Sequence, residues 1–545
     1  MKWIRYTSLT SLLAFGALVV LLAGCDGLSD FGDLNEDPNA TSDPSPDVQF
    51  TTLQVGTAGT RFETWRHNLI YVSQTAQLMA HPVLGNGHLN TFNNAWSGAL
   101  FATRYDGGPN AGVNTVPAAV KTSVDLVNRL EGESAQVNRL AAARIWKVLV
   151  FQQLTDTYGD IPYEEAARGA IDGNFKPAYT PQEQIYQDLH DELQAAIDQF
   201  DPSKPWYESA DLVYGDAGDV DTWIRKWKQF ANSLQLRLAL RIKGKDPQKA
   251  QTWANEAING SGGNGVGVME GPEGDVFIRG QDGPSTTPGA GYSRNANSEV
   301  FQLGVGCCAP YLSKPFVDWM QDNNDPRLSI VASVDGNTDP AAQRGYPIGV
   351  SNAELSGIGV DDPTTTFSGP SSTISSYDAP FFFQTYAEVE LMLAEVAADS
   401  DLNVSTPKSA EQHYNDGVEA AIKKYERYGA TVDQPDVDDY INNQNPFQSS
   451  ASESEQLDQI NTQYWAAVFP HGLEAWSNWR VTGYPSFISP PDQEGETDGA
   501  IIRRLAYPQN EQTLNQENYQ EARDRQGISQ SNRLTARVWW DTELP

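Results

Sequence analysis

Apolar residues spaced four apart constrain this chain more than any other feature of its sequence. In TPQEQIYQDLHDELQAAIDQF (180–200), Ile185, Leu189, Leu193 and Ile197 recur at steps of four. Gln187 and Asp191 stand between them, where a strand would place them on the same face, so the stripe suits one side of an α-helix. Thr180-Pro181 supplies a cap and a first-turn proline. Residues 139–156 repeat the pattern with Leu140, Ala143, Trp146 and Val150. Residues 221–243 repeat it with Ile224, Trp227, Ala231, Leu234 and Leu238, Asp221 serving as N-cap and Gly244 as the stop. Further helices fit 381–398, 411–429 and 452–469. These segments come in pairs of tetratricopeptide length, without a clean 34-residue period. Between them, 261–312 holds 12 glycines and four prolines, and 331–378 is rich in Ser, Thr, Gly and Pro. Long structured loops and short strands are expected there, and such loops are commonly functional. The expected fold class is mostly α, a scaffold of helix pairs carrying loop-rich, short-strand excursions.

The start of the chain sets compartment and anchoring. Lys2 and Arg5 precede an apolar run over 12–24, about 13 residues and shorter than the ~20 of a spanning helix. Leu22-Ala23-Gly24-Cys25 follows and is similar to a bacterial lipobox. The expectation is a signal peptide over 1–24 and an acylated Cys25 heading a 521-residue mature chain, its acyl chains forming a membrane anchor. Residues 26–47 hold seven acidic residues and no Lys or Arg, so 25–48 reads as a solvated tether able to reach about 70 Å. No second linker appears, and 49–545 reads as one domain. Asp26, Asp30 and Asp33 resemble a surface-export signal, which favours the cell exterior over the periplasmic face.

Charge and motifs exclude several classes. The net charge is −34, and −36 once Lys2 and Arg5 are removed, which argues against nucleic acid or an anionic membrane surface as partner. Six scattered histidines form no HExxH and no zinc spacing; GxSxG and phosphate-binding loops are absent, so no metal and no cofactor is expected. Cys307 and Cys308 are adjacent and read as a reduced or vicinal pair with a local loop role, not as redox catalysts. Asp156 and Asp160 in DTYGDIPY invite a catalytic reading, but Gly159 and Pro162 make this a helix exit. Asp322, Asn324 and Asp325 could hold Ca²⁺, although they lack the EF-hand pattern, and a turn opening a helix explains them better.

Eight strings together resemble the SusD/RagB lipoproteins: FGDLNEDPNA after Cys25, DTYGDIPYEEA (156–166), KWKQFANSLQLRLALRI (226–242), NDPRL (324–328), FFFQTYAEVELMLAEVAA (381–398), HYNDGVEAAI (413–422), HGLEAWSNWRVTGYP (471–485) and RRLAYPQNEQTLN (503–515). They run in that family's order from tether to C-terminus. One departure is Val481 after Arg480, where the family commonly has a second arginine. The resemblance implies a right-handed scaffold of four tetratricopeptide-like helix pairs. It also implies a SusC-like TonB-dependent outer-membrane transporter as partner, with an oligosaccharide or peptide ligand held between the two.

A sugar offers an apolar C–H face and a rim of hydroxyls, so aromatic rings should meet the face while Asn, Asp and Arg meet the rim. Trp206, Tyr207, Tyr292 and Tyr311 lie in loop-like sequence. The segment from His81 to Gly108 mixes aromatics with Asn90, Asn93 and Asn94, and within it Trp96, Arg104 and Tyr105 are the expected ligand contacts. Residues 225–245 hold seven Lys or Arg and no acid. Their stems are expected to cover apolar surface and pair with neighbouring carboxylates, with an anionic-ligand patch as the alternative. The function expected is non-catalytic capture of nutrient. The rivals are a surface glycosidase or peptidase, which turnover would reveal, and an adhesive lipoprotein, which a co-purifying transporter would oppose.

Overall fold

The computed structural model describes residues 44–107, 118–260, 265–282, 294–491 and 495–542; Cys25, nearly all of the tether and Tyr292 lie outside them. The four-residue stripes fold as helices. The first are α1 (Pro46–Ala58), a single turn α2 (Arg61–Thr64) continuing into a π-helical stretch (Trp65–Val72), α3 (Asn94–Ser97), α4 (Ala99–Asp106), α5 (Ala119–Leu130) and α6 (Val137–Tyr158). Then come α7 (Gln182–Gln199), α8 (Val220–Ile242), α9 (Pro247–Asn259), α10 (Ala296–Phe301) and α11 (Lys314–Asp322). The series closes with α12 (Tyr386–Ala398), α13 (Ala410–Lys423), α14 (Glu453–Ala467), α15 (Gly472–Thr482) and α16 (Gln516–Arg525). Consecutive helices pack as pairs, α5 on α6, α8 on α9, α12 on α13 and α14 on α15, with α7 against α6. On α13, Gly417 lets α12 come close: a Cβ there would stand 2.8 Å from Leu391 Cγ. Among the described residues no helix is long and apolar enough to cross a membrane.

Short antiparallel ribbons carry the excursions: β1 (Met79–Ala80) pairs with β5 (Tyr311–Leu312), β2 (Ile161–Pro162) with β3 (Tyr179–Thr180), β4 (Val276–Arg279) with β8 (Pro380–Gln384), and β6 (Ala332–Ser333) with β7 (Gly369–Pro370). Burial drives both layers. The main core is aromatic where α6 and α8 meet, with Trp146 edge-on to Trp227 at 6.2 Å and to Phe383 at 5.0 Å. A separate small core, Ala80, Tyr311, Tyr346, Leu355, Val360 and Phe367, holds the glycine-rich loops in place. The expected class, a mostly helical scaffold with loop-rich, short-strand excursions, is what the structure has.

Several local expectations are corrected. α8 starts at Val220, and Asp219, not Asp221, accepts the Thr222 N–H at 2.8 Å. α7 starts at Gln182 without a Thr180 cap, because Asp160 Oδ1 accepts the Gln182 N–H at 2.9 Å from across the chain. FFFQ is strand β8, because the helix begins only at the Thr385/Glu388 capping box. A helix, α10, sits inside 261–312, capped by Asn295, whose side chain accepts the Ser298 N–H at 3.0 Å.

Candidate functional site

A half-buried aromatic ledge begins with one turn of helix. Thr60 caps α2 through the Glu63 N–H. Glu63 and Thr64 turn inward, leaving Arg61, Phe62, Trp65 and Arg66 half-buried on the outer face. Trp65 is fixed at its polar edge, its indole N–H donating to the Cys308 carbonyl at 3.1 Å. A second cap places Trp96: the Asn93 side chain accepts the Trp96 N–H at 3.2 Å, and the Asn93 N–H in turn donates to the Tyr71 hydroxyl at 2.7 Å. The Trp65 and Trp96 rings lie 6.4 Å apart, tilted by 37°, and Phe62 lies 6.4 Å beyond Trp65. The Arg61 guanidinium covers Phe62 at 4.7 Å. Cys307 and Cys308 are joined in a disulfide on the loop that receives Trp65, with Cys307 and the nearby Leu303 exposed. Two tilted indoles beside an apolar loop are suited to the C–H faces of sugar rings.

The three residues singled out in the sequence do not act together. Trp96 stands on the ledge. Arg104 faces the interior at 4 % exposure: its guanidinium donates to the Gly56 and Thr57 carbonyls at 2.7 Å each and pairs with Glu63 at 3.0 Å. Burial pushes the Glu63 carboxyl up to about 7, with Arg104 opposing. Tyr105 turns its hydroxyl to the Pro162 carbonyl and its ring to Phe101 at 4.5 Å. Neither side chain therefore offers a free polar group to the ledge. Tyr311 is part of the small core, and Tyr207 is buried and stacked on Phe50 at 4.0 Å. Trp206 is half-buried against Trp223 at 5.5 Å. Phe62 and Trp65 were missed, although TRFETWRHN sets two aromatics three apart among arginines, an arrangement that exposes them on a helical turn.

Other candidate centres are structural. Asp156 is fully buried and accepts from Gln152 at 2.5 Å, from the Trp540 N–H at 3.1 Å, from Arg241 Nε at 3.4 Å and from the Tyr186 hydroxyl. Asp160 pairs with Arg525 at 2.7 Å while capping α7. The basic helix follows the pairing expectation: deep in the core Arg237 meets Glu388 at 3.1 Å and Arg241 meets Glu474, and half-buried Lys243 at the helix end meets Glu395 and Asp399 at 2.5 and 2.9 Å. Arg480 donates to the Arg503 and Asp156 carbonyls at 2.9 and 2.8 Å, while Val481 is only half-buried. Asp325 is committed to Arg327 at 2.5 Å with both side chains fully buried, and Asn324 donates to Gln444, so this turn opens a short helix. Burial holds His67, His81, His88 and His471 between about 3 and about 4, which keeps them neutral. Among the described residues no cluster of three His, Cys, Asp or Glu could hold a metal.

A cavity of about 660 Å³ between β4, α12 and α13 is walled by ion pairs such as Asp275–Arg427 at 3.1 Å and Lys423–Glu419 at 2.6 Å, with Tyr386 the one ring among its described lining residues. It lacks the paired aromatic faces of the ledge.

Known proteins can now be set beside this geometry. A family model described as SusD-like, starch-binding and associating with the outer membrane, matches residues 38–508. Similar solved structures include a chitin-binding protein, 29 % identical with a TM-score of 0.76, covering 92 % of this chain and all of its own. A SusD-like protein from Bacteroidetes is 24 % identical with a TM-score of 0.77 over 92 % of this chain and all of its own. A chitin-binding SusD homologue from Flavobacterium johnsoniae is 22 % identical with a TM-score of 0.70 over 91 % of this chain and 98 % of its own. No curated protein sequence matches.

Proposed function

The chain belongs to the SusD-like family of nutrient-binding proteins that associate with the outer membrane, and from that premise we propose that it captures oligosaccharide on the Trp65–Trp96 ledge and releases it, uncut, to a SusC-like TonB-dependent transporter. In this reading Cys25 carries the lipid, the tether spans the gap, and the body faces the cell exterior. The observation that carries the proposal is the pairing of two half-buried indoles 6.4 Å apart, the Trp65 ring held by its indole N–H on the Cys308 carbonyl and Trp96 placed by its main-chain N–H on the Asn93 side chain. Rings fixed before the ligand arrives avoid an ordering cost of roughly 0.5–1.5 kcal/mol per side chain. The non-catalytic character is supported by two buried carboxylates with raised pKa values. Glu63, near 7, is sealed inside, and Asp275, near 6, is tied to Arg427 and the Tyr386 N–H.

Titration calorimetry with chito- and malto-oligosaccharides tests the site, these being the sugars that the comparisons name. Trp65→Ala and Trp96→Ala should each weaken binding about tenfold, on the order of 1.4 kcal/mol. Both affinities remaining at the wild-type value would remove the ledge from the function. Recovered ligand should be intact by mass, and a TonB-dependent barrel should co-purify with the tagged, lipidated chain.

A further inference from the structure

Beside the ledge, the short helix α3 that carries Trp96 also contributes Asn94 to a separate cavity of about 240 Å³. Its wall carries Arg504, Arg523 and Arg533 together with the rings of Phe92 and Tyr519, and none of the described residues lining it is Asp or Glu. In a chain of net charge −34, three guanidinium groups converging on one hollow without a carboxylate in its wall stand apart from their surroundings. The arginines are positioned, not loose. Arg533 lies over Phe92 at 3.8 Å and is held at the rim by Glu496 at 2.6 Å. Arg523 lies 5.4 Å from the Tyr519 ring and donates one N–H to the Ile528 carbonyl at 3.2 Å, leaving its other donors for a guest. Arg504 is fully buried behind the wall, bound to Gln526 at 2.9 Å and to the Tyr158 carbonyl and packed 5.1 Å from the Tyr507 ring, so it adds charge and not a contact.

We propose that this cavity is an anion subsite contiguous with the aromatic ledge, binding the carboxylate or sulfate of an acidic saccharide whose neutral rings lie on Trp96. The proposal rests on the oligosaccharide reading above and adds the charge class of the ligand. Guanidinium forks match planar carboxylates and sulfates in geometry, and Phe92 and Tyr519 supply faces for the sugar ring that carries the group.

The test uses the full mature protein. Oligogalacturonate and a sulfated oligosaccharide are titrated against neutral oligosaccharides of equal length and against sodium sulfate alone, in wild type, Arg523→Gln and Trp96→Ala. The acidic sugars should bind at least tenfold more tightly than the neutral ones, with an advantage that shrinks as salt rises. Arg523→Gln should abolish that advantage while leaving neutral binding and the circular dichroism spectrum unchanged. If neutral sugars bind as well as acidic ones, or if Arg523→Gln leaves the preference intact, the anion subsite is wrong and the ledge stands. Sulfate binding as tightly as the sulfated saccharide overturns the saccharide assignment. Binding of no saccharide at all would instead overturn the function from which the inference starts. Arg533→Gln is the second variant, read in the same way should Arg523→Gln fail to fold.

Discussion

Replacing Glu474 by Gln should remove one of the largest electrostatic contributions to this fold. Glu474 on α15 is fully buried and receives Arg241 Nη2, Arg237 Nε at 3.5 Å and Gln152 Nε2 at 3.4 Å. Burial alone would push its carboxyl up. Arg237 and Arg241, followed by His471 and Gln152, reverse this and hold it at about 2 against an ordinary 4.5. A carboxyl held that far down stabilises the folded protein by about 3 kcal/mol at neutral pH, at ~1.4 kcal/mol per pH unit. The same figure lies at the lower end of the ~3–5 kcal/mol typical of removing one partner of a buried ion pair. Because the folded value lies below the unfolded one, this contribution is complete above pH 4.5 and is lost as the pH falls through 2. Urea unfolding of wild type and Glu474→Gln at neutral pH and at about pH 3 measures it. The amide keeps the shape of the side chain, so the difference reports charge. The cost should be about 3 kcal/mol at neutral pH and about half of that near pH 3. A cost below about 1 kcal/mol at neutral pH, or an equal cost at both pH values, would refute the assignment of the basic helix to core electrostatics.

Two further stability predictions follow from other buried carboxylates. Asp160→Ala removes both the cap of α7 and the Arg525 pair, and should cost about 1–2 kcal/mol in the same assay; no change would mean that water replaces the cap. Glu63 has the opposite sign to Glu474. Its folded value of about 7 lies above the ordinary 4.5, so its contribution is full below pH 4.5 and is lost as pH rises through 7. Glu63→Gln should therefore flatten the fall in stability between pH 5 and pH 8, and a variant with the wild-type slope would show that Glu63 is ionised throughout.

The scaffold was legible because a helical stripe writes its own phase into the sequence. The stripe of α7 and the inward face of α8 are where Ile185 and Trp227 place them. FFFQ was misread because an all-apolar run has no phase of its own, although Thr385 and Glu388 four residues on were a readable start signal. The capping of α7 by Asp160 depends on a residue 22 positions away, which no local pattern encodes. At the candidate site, the sequence singled out Trp96 among asparagines, and the structure leaves it half-buried against the core beside Trp65. Trp65 was not singled out, because it sits in sequence that reads as ordinary amphipathic helix. Arg104 shares the polar surroundings of Trp96, and its inward turn is decided by carbonyls of α1 that lie almost fifty residues earlier.

Those carbonyls give Arg104 a part in binding without contact. The guanidinium satisfies the C-terminal carbonyls of α1 and contacts Glu63, and Glu63 is the inward residue of the turn whose outward residues are Phe62 and Trp65. The ledge is thus held at three points: the Glu63–Arg104 pair beneath, the Cys308 carbonyl at one edge, and the Asn93 cap under Trp96. On the proposed reading such a platform discriminates by shape, because moving the Trp65 indole to suit a poor ligand requires breaking a hydrogen bond of about 1 kcal/mol. On the proposed reading, residues that never touch the sugar therefore bear on its affinity, through the angle between two rings.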